Sequence, residues 1–321
     1  KERTRSLRAT PEFRAARRQT REKRIGGKKS ARFSAAIAAR NAYKAEPQTL
    51  ALSGIRTTKE IAETLFCRRA LNHAVNVAGA LQLPEADLLI DPYVLGAWLG
   101  DGTSISGQIA GVDEEVFENV ANAGYPVSRL TSRYVRGTKG LATHLRQLGL
   151  KNNKHIPPAY LRASIDQRTS LLQGLMDTDG TCGIDGHIQF TTTSPKLRDG
   201  VLELVVSLGI KAVAREGKAT LNGRYISPKW NIQFVTEIPC FRIARKLIRQ
   251  KRSGFRGTHD RRYITNAQQI DRVPLKCIEV DSPSHCYLAG REMIPTHNSL
   301  LLRVSAIRWC TEVPGIQVYL F

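Results

Sequence analysis

Sulfur and acid are both scarce in this chain. Among 321 residues there are six cysteines and two methionines. Cys67, Cys182, Cys240, Cys277, Cys286 and Cys310 form no Cys-x-x-Cys pair, which argues against a zinc ribbon and a secreted disulfide scaffold. No apolar run reaches the roughly 18 residues that a membrane span needs. The opening KERTRSLRAT lacks the apolar stretch of a signal peptide. These absences predict no membrane partner and a cytoplasmic location in a prokaryotic or phage-infected cell. Acidic residues number 28 against 49 Lys plus Arg, a formal net charge of +21. Such an excess predicts a polyanionic partner, most simply nucleic acid. At 41% hydrophobic residues the chain can still build real cores, and its length suggests two or three domains.

The charge is uneven. Lys1 to Lys44 holds fifteen Lys or Arg and three acids, a solvated arm that could also track phosphates. TTKEIAETL, Thr57 to Leu65, reads as a short packing helix capped by Thr57 or Thr58, with Ile61, Ala62 and Leu65 on one face. From Asp91 the texture becomes globular, and VLGAWLGDGT runs into Gly-Asp-Gly. A related run, LLQGLMDTDGT, ends on a second Asp-Gly, so the internal repeat from Asp101 to Asp179 is 78 residues. Beyond it, VLELVVSLGI reads as helix, ATLNGRYISPKWNIQF as two strands joined at Asn222-Gly223, and FRIARKLIRQKR as a basic amphipathic helix. VPLKCIEVDSPSHCYLAGREMIPTHNS is turn-rich and alternating, hence β.

Each repeat ends an apolar helix on an aspartate. Gly96, Gly100 and Gly174 provide small surfaces through which two such helices can approach closely, bringing Asp101 and Asp179 together. Paired carboxylates repel unless a divalent cation lies between them, and oxygen ligands suit Mg²⁺. Such a centre can activate water for phosphodiester cleavage. VLGAWLGDG and LQGLMDTDG resemble the signature helices of the LAGLIDADG (DOD-type) homing endonucleases, the second more closely; the first departs at Ala97, Trp98 and Leu99. The resemblance implies an α+β fold with pseudo-two-fold symmetry, two antiparallel saddle sheets over a long double-stranded DNA site, and Asp101 and Asp179 as catalytic metal ligands. Asp177 matches the family's non-catalytic acid. KNNKHIPPAYL resembles the family segment that supplies a lysine near the scissile phosphate, which implies Lys154 in that role, with His155 bonding locally. For the symmetric lysine, Lys229 is preferred over Lys218.

The string SHCYLAGREMIPTHNS carries a different chemistry. An asparagine can cut the peptide bond after itself by side-chain attack on its own carbonyl, given a neighbouring histidine to move protons. A hydroxyl directly after it can take up an acyl group. His297, Asn298 and Ser299 form that set. Over Val273 to Ser299 the chain resembles the C-terminal splicing blocks of inteins, which implies His297 as the penultimate histidine, Asn298 as the cyclising residue, Ser299 as the first residue of the host protein, and His285 and Cys277 as assisting residues. At the other end, RSLRATPEF resembles the intein Thr-x-x-His block, with Thr10 in place but Phe13 where histidine stands, and the chain opens on Lys1 rather than Cys or Ser. Full self-splicing is therefore doubtful.

SLLLRVSAIRWCTEVPGIQVYLF resembles the segment after the Gly-Lys of a phosphate-binding loop, in particular that of a phage terminase ATPase. The organisation expected is a truncated β-rich Hint splicing domain with its basic arm at 1–90, an inserted endonuclease at 91–265 in halves 91–165 and 166–265, the rest of the splicing domain at 266–298, and host sequence at 299–321. The chain is expected to be monomeric, Mg²⁺-dependent as a nuclease and cofactor-free in splicing. The rival readings are a DNA-binding remnant without cleavage and an inert insert in an ATPase fragment.

Overall fold

A computed structural model of the chain describes residues 56–129, 134–251, 258–271, 278 and 280–297. The chain divides into residues 1–60 and 61–321. Of the first unit only 56–60 are described, where the helix α1 (Thr58–Glu63) begins. Thr57 caps it as expected, accepting from the Glu60 amide at 3.2 Å while its own amide donates to the Glu60 carboxylate, but the helix buries no side chain.

In the second unit the chain runs through short strands β1 (Phe66–Cys67), β2 (Ala70–Leu71) and β3 (Ala74–Asn76) and then through two similar halves. The first comprises α2 (Pro92–Asp101), β4 (Gln108–Ala110), α3 (Glu114–Asn122), β5 (Val127–Arg129), β6 (Val135–Thr138) and α4 (Leu141–Gln147). A helical turn, α5 (Pro158–Leu161), leads to the second: α6 (Ile165–Thr178), β7 (Gly180–Cys182), β8 (Ile188–Thr192), α7 (Pro195–Ser207), β9 (Ala212–Leu221), β10 (Arg224–Phe234) and α8 (Ala244–Leu247). The sheets repeat the pattern. One has the order β7-β8-β10-β9, the other β4-β6-β5, and an isolated bridge between Gly102 and Ile109 stands where β7 pairs in the second. All pairings are antiparallel. The described chain is thus a mixed α+β fold in which the repeat of Asp101 and Asp179 is a repeat of structure.

The helices α2 and α6 form the seam. Eight residues of α2, Pro92 to Leu99, are buried, so the helix is apolar on every side. Asp91 caps its start, accepting from the amides of Tyr93 and Val94. Ser164 and Gln167 close a capping box at the start of α6. The backbones meet at glycines: a Cβ on Gly174 would lie 2.7 Å from the Ala97 amide nitrogen, and one on Gly96 would lie 2.9 Å from that of Leu175. In the first turns of α6 Arg168 is fully buried, with its guanidinium on the carbonyls of Ala163, Ser207 and Leu81 and on the Ser207 hydroxyl.

The hairpin of β9 and β10 turns at Asn222-Gly223, both at positive φ (50° and 78°), as the Asn-Gly pair predicts. FRIARKLIRQKR departs from expectation, being helical only over Ala244–Leu247. Just ahead of that turn the amides of Arg242 and Ile243, which have no partner within a helix, donate to the Asp177 carboxylate. Towards the C-terminus β11 (Arg261–Tyr263) pairs with β3, and β12 (Cys286–Ala289) with β13 (Ile294–His297). The β12–β13 turn meets the second half through an Arg291–Asp199 ion pair of 3.0 Å. Among the described residues no β-rich splicing domain is seen beyond these short pairs, and no helix is long and apolar enough to cross a membrane.

Candidate active site

Asp101 is the last residue of α2 and Asp179 caps the C-terminal end of α6. Because the helices cross at their glycines and run on together, the two carboxyl groups meet at one end of the seam. The Asp179 carboxyl is pushed up to about 6, first by burial, then by the charge of Asp101 and a hydrogen bond shared with it, against the opposing pull of Lys154 and Lys246. Asp179 is exposed at the edge of a cleft. The cleft, of about 500 Å³, is lined by Lys154, Asp179 and Lys229, by the hydroxyl-bearing Thr191, Thr192, Thr193, Ser194 and Thr220, and by the end of α2 at Leu99 and Gly100.

Lys154 reaches the site from the loop before α5. Its Nζ donates to the carbonyls of Leu99 and Gly100, both at 3.1 Å, and stands 5.0 Å from the centre of the Trp98 ring. Burial lowers its pKa, while Asp179 and Asp101 oppose that shift. Lys246 of α8 makes the equivalent contacts in the other half, donating to the carbonyls of Met176, Asp177 and Thr178 at 2.9, 2.6 and 3.0 Å. Each ammonium thus sits on the carbonyl end of one signature helix, where the helix dipole favours positive charge. Lys229 lies elsewhere, in β10 opposite Gly217, on the cleft-facing side of the sheet. It joins Lys154 in the cleft, but the residue that repeats the Lys154 contacts is Lys246. His155 bonds locally, its Nδ1 lying 2.7 Å from the Asn153 carbonyl.

Asp177 is 1% exposed and points away from this pair. It accepts from the Tyr93 hydroxyl at 2.8 Å and from the amides of Arg242 and Ile243, and Arg242 stacks over the Tyr93 ring at 4.3 Å. Its carboxyl is raised by burial in spite of those donors. The role is structural: Asp177→Asn places an amide group against amide donors and is expected to lower stability by about 1–3 kcal/mol, read as a fall in denaturation midpoint with an unchanged m-value.

The raised Asp179 has a definite consequence for stability. Its folded value, about 6, lies above the ordinary 3.8, so its favourable contribution is complete below about 3.8 and is lost as pH rises through about 6. In EDTA, Asp179→Asn is therefore expected to melt at a temperature that gains on the wild type as pH rises through about 6; a constant gap would show that the carboxyl is not raised.

Two carboxylates are a sparse cation site, and no cluster of three His, Cys, Asp or Glu is found among the described residues. That sparseness fits Mg²⁺, which commonly takes one or two carboxylates and completes its shell with water and substrate phosphate oxygens. Burial and mutual repulsion both disfavour charging the pair, a cost that a bound cation would offset.

The sheet surface beside the cleft is polar. Trp230, Ile232 and Phe234 of β10 face the core, while Lys229, Asn231 and Gln233 alternate to the other face. Asn231 accepts from Thr191 at 3.0 Å and Gln233 donates to Gln189 at 2.8 Å.

Residues 166–273 match the family described as LAGLIDADG-like domain. The chain is similar to that family over those residues. It is also 41% identical over 272 residues to a protein of Mycobacterium intracellulare named replicative DNA helicase DnaB, a match spanning 83% of this chain and 45% of the relative. A protein of the same name from Mycobacterium leprae is 53% identical over 38 residues, 12% of this chain and 6% of the relative. The chain therefore spans less than half the length of the curated relatives it matches. Neither bears the name of a terminase, and the terminase likeness expected for 299–321 is not supported. Solved chains of the homing endonuclease I-DmoI are also similar: a variant in complex with its target DNA and Mn at 13% identity and TM-score 0.33, covering 50% of this chain and 90% of that one, and I-DmoI in complex with DNA and Mn at 12% and 0.32, covering 46% and 89%.

Of the other candidates, Thr10, Cys277, Asn298 and Ser299 lie outside the described residues, as does Phe13. The backbone of His297 ends β13, opposite Cys286, so His285 precedes the partner of His297 across the hairpin. His285 adopts positive φ (51°), and its amide donates to Ser282.

Proposed function

We propose that the chain is a site-specific endonuclease of double-stranded DNA, dependent on Mg²⁺, carried within an intein whose C-terminal junction is Asn298–Ser299. The observation that carries the nuclease reading is the convergence of Asp101 and Asp179, with Lys154 beside them, at the open end of two helices packed through glycine. A divalent cation held by the two carboxylates would polarise water and neutralise charge on the phosphate. The protein's own contribution is to hold those carboxylates in register, to place the Lys154 ammonium where it can donate to a phosphate oxygen, and to present the polar sheet face to the duplex. Exposed Arg215, which pairs with Asn231 on the same face, extends that surface with a phosphate contact.

The matched helicase relatives support a replicative helicase as the host whose uninterrupted gene holds the cleavage site. The test is incubation of the full chain and Mg²⁺ with DNA spanning that gene. Double-strand cutting at one site supports the reading. Bound but uncut DNA would leave a binding remnant, and no binding would sink both. For splicing, the hairpin register that brings His285 and His297 to adjacent strand ends supports His-assisted cyclisation of Asn298. Mass spectrometry should then find the peptide Ser299 to Phe321 released from the wild type and retained in Asn298→Ala. An intact wild-type chain after long incubation would count against an active junction.

A further inference from the structure

The strand that carries His297 is held at both ends. β3, which precedes α2, and β11, which follows α8, pair with each other, and the Val77 and Ile264 amides extend that pairing by donating to the carbonyls of Asp260 and His73. β13 lies against β3 at this neck. The turn at the other end of the β12–β13 hairpin reaches the second half. There Arg291 meets one oxygen of the Asp199 carboxylate on α7 at 3.0 Å, and Arg198, stacked 4.7 Å over the Trp230 ring, holds the other at 2.7 Å. Two residues on, Met293 packs against the apolar core built between Ile90 and Ile243. Met293 stands at positive φ (50°), a conformation disfavoured for a residue with a Cβ, and it holds that conformation where it meets the core. β13 starts directly after it and ends at His297.

We propose that the second half of the repeat is part of the scaffold of the splice junction: α7 and the core beneath it set the β12–β13 hairpin, and Arg291 and Met293 are positioning residues for cyclisation of Asn298. The proposal rests on the splicing reading above. In that step the Asn298 side-chain nitrogen bonds to the Asn298 carbonyl carbon, the peptide bond to Ser299 breaks, and the Ser299 nitrogen leaves with a proton given up by the side chain. Its rate depends on how often the strand stands in reactive register. Loosening the hairpin turn lowers that fraction without touching a reacting atom. Arg291 is exposed, and an exposed ion pair by itself is worth only about a fewfold. Reversing its charge has a larger effect, because attraction to Asp199 becomes repulsion, and Met293 supplies the apolar share of the contact.

The test follows release of the peptide Ser299 to Phe321 from the purified full chain by mass spectrometry over time. Arg291→Glu should slow release about tenfold, and Arg291→Lys should stay within about twofold of wild type. Asp199→Asn added to Arg291→Glu removes the repulsion and should bring release back to within about fivefold of wild type. Met293→Ala should slow release about tenfold. The Arg291 variants should melt within about 2 °C of wild type, as surface substitutions do. Release at the wild-type rate from either Arg291→Glu or Met293→Ala overturns the proposal and leaves the splicing reading intact. So does a loss in Arg291→Glu that Asp199→Asn fails to relieve, or one that comes with several degrees of melting temperature. No release from the wild type overturns the splicing reading, and this proposal with it. Should Met293→Ala fail to fold by circular dichroism, the Arg291 series still decides.

Discussion

In Mg²⁺, Asp101→Asn and Asp179→Asn are each expected to slow DNA cleavage by on the order of a thousandfold or more, about 4 kcal/mol of transition-state stabilisation. An amide keeps the shape of the carboxyl but removes the charge that holds a divalent cation, and among the described residues no third ligating side chain is grouped with the pair. The stability of the same variants separates this loss from damage to the fold. Burial, and after it the charge of Asp101, keeps a proton on Asp179 up to about pH 6. Replacing one member of the pair therefore relieves repulsion, and both variants should melt no lower than the wild type in EDTA at neutral pH. Activity lost together with several degrees of melting temperature would place the two aspartates in the architecture rather than in the chemistry. Cleavage retained by either variant would refute the assignment outright.

Gly174→Ala is expected to be the most damaging small substitution in the described chain. Its added methyl group would press on the backbone of α2 at Tyr93 and Ala97, and main chain inside a packed helix cannot swing aside as a flexible side chain can. Overpacking of this kind costs about 1–3 kcal/mol, and the backbone partners put this case at the upper end. For a domain of this size that is roughly 6–12 °C in melting temperature. Gly96→Ala presses on Leu171 and Leu175 of α6 in the same way and should behave alike. The helix ends also carry Asp101 and Asp179, so DNA cleavage should fall even at temperatures where the variants remain folded. Gly223→Ala is the control: that glycine has open space around it, its cost comes only from positive φ in the hairpin turn, and its effect should be confined to the β9–β10 tip.

The second lysine shows where the linear record misleads. In the first half Lys154 follows Asp101 by 53 positions, and the same interval after Asp179 falls at position 232, close to Lys229. The second half interposes strands of 10 and 11 residues where the first has strands of 3 and 4. The hairpin pushes the equivalent residue along the chain to Lys246, inside a stretch whose alternation of basic and apolar residues suggested a longer helix. Neither spacing nor amphipathicity could reveal that Asp177 takes the Arg242 and Ile243 amides just ahead of α8, or that Lys246 reaches the end of α6.

What the sequence alone determined was everything carried by local chemistry. The Asp-Gly ends of two apolar helices, the small residues that let them approach, the Asn222-Gly223 turn and the alternation along β10 are all properties of a few consecutive residues, and each was legible from them. Tertiary structure decided what depends on distant groups meeting. It placed Asp177 under Tyr93, made Lys246 the counterpart of Lys154, raised Asp179 by setting it against Asp101, and left one of two equivalent ammonium groups with a donor to spare. The physical reason is common to all four. Burial, charge coupling and hydrogen-bond saturation are set by the neighbours a residue acquires on folding, and those neighbours come from elements 54 to 84 positions apart.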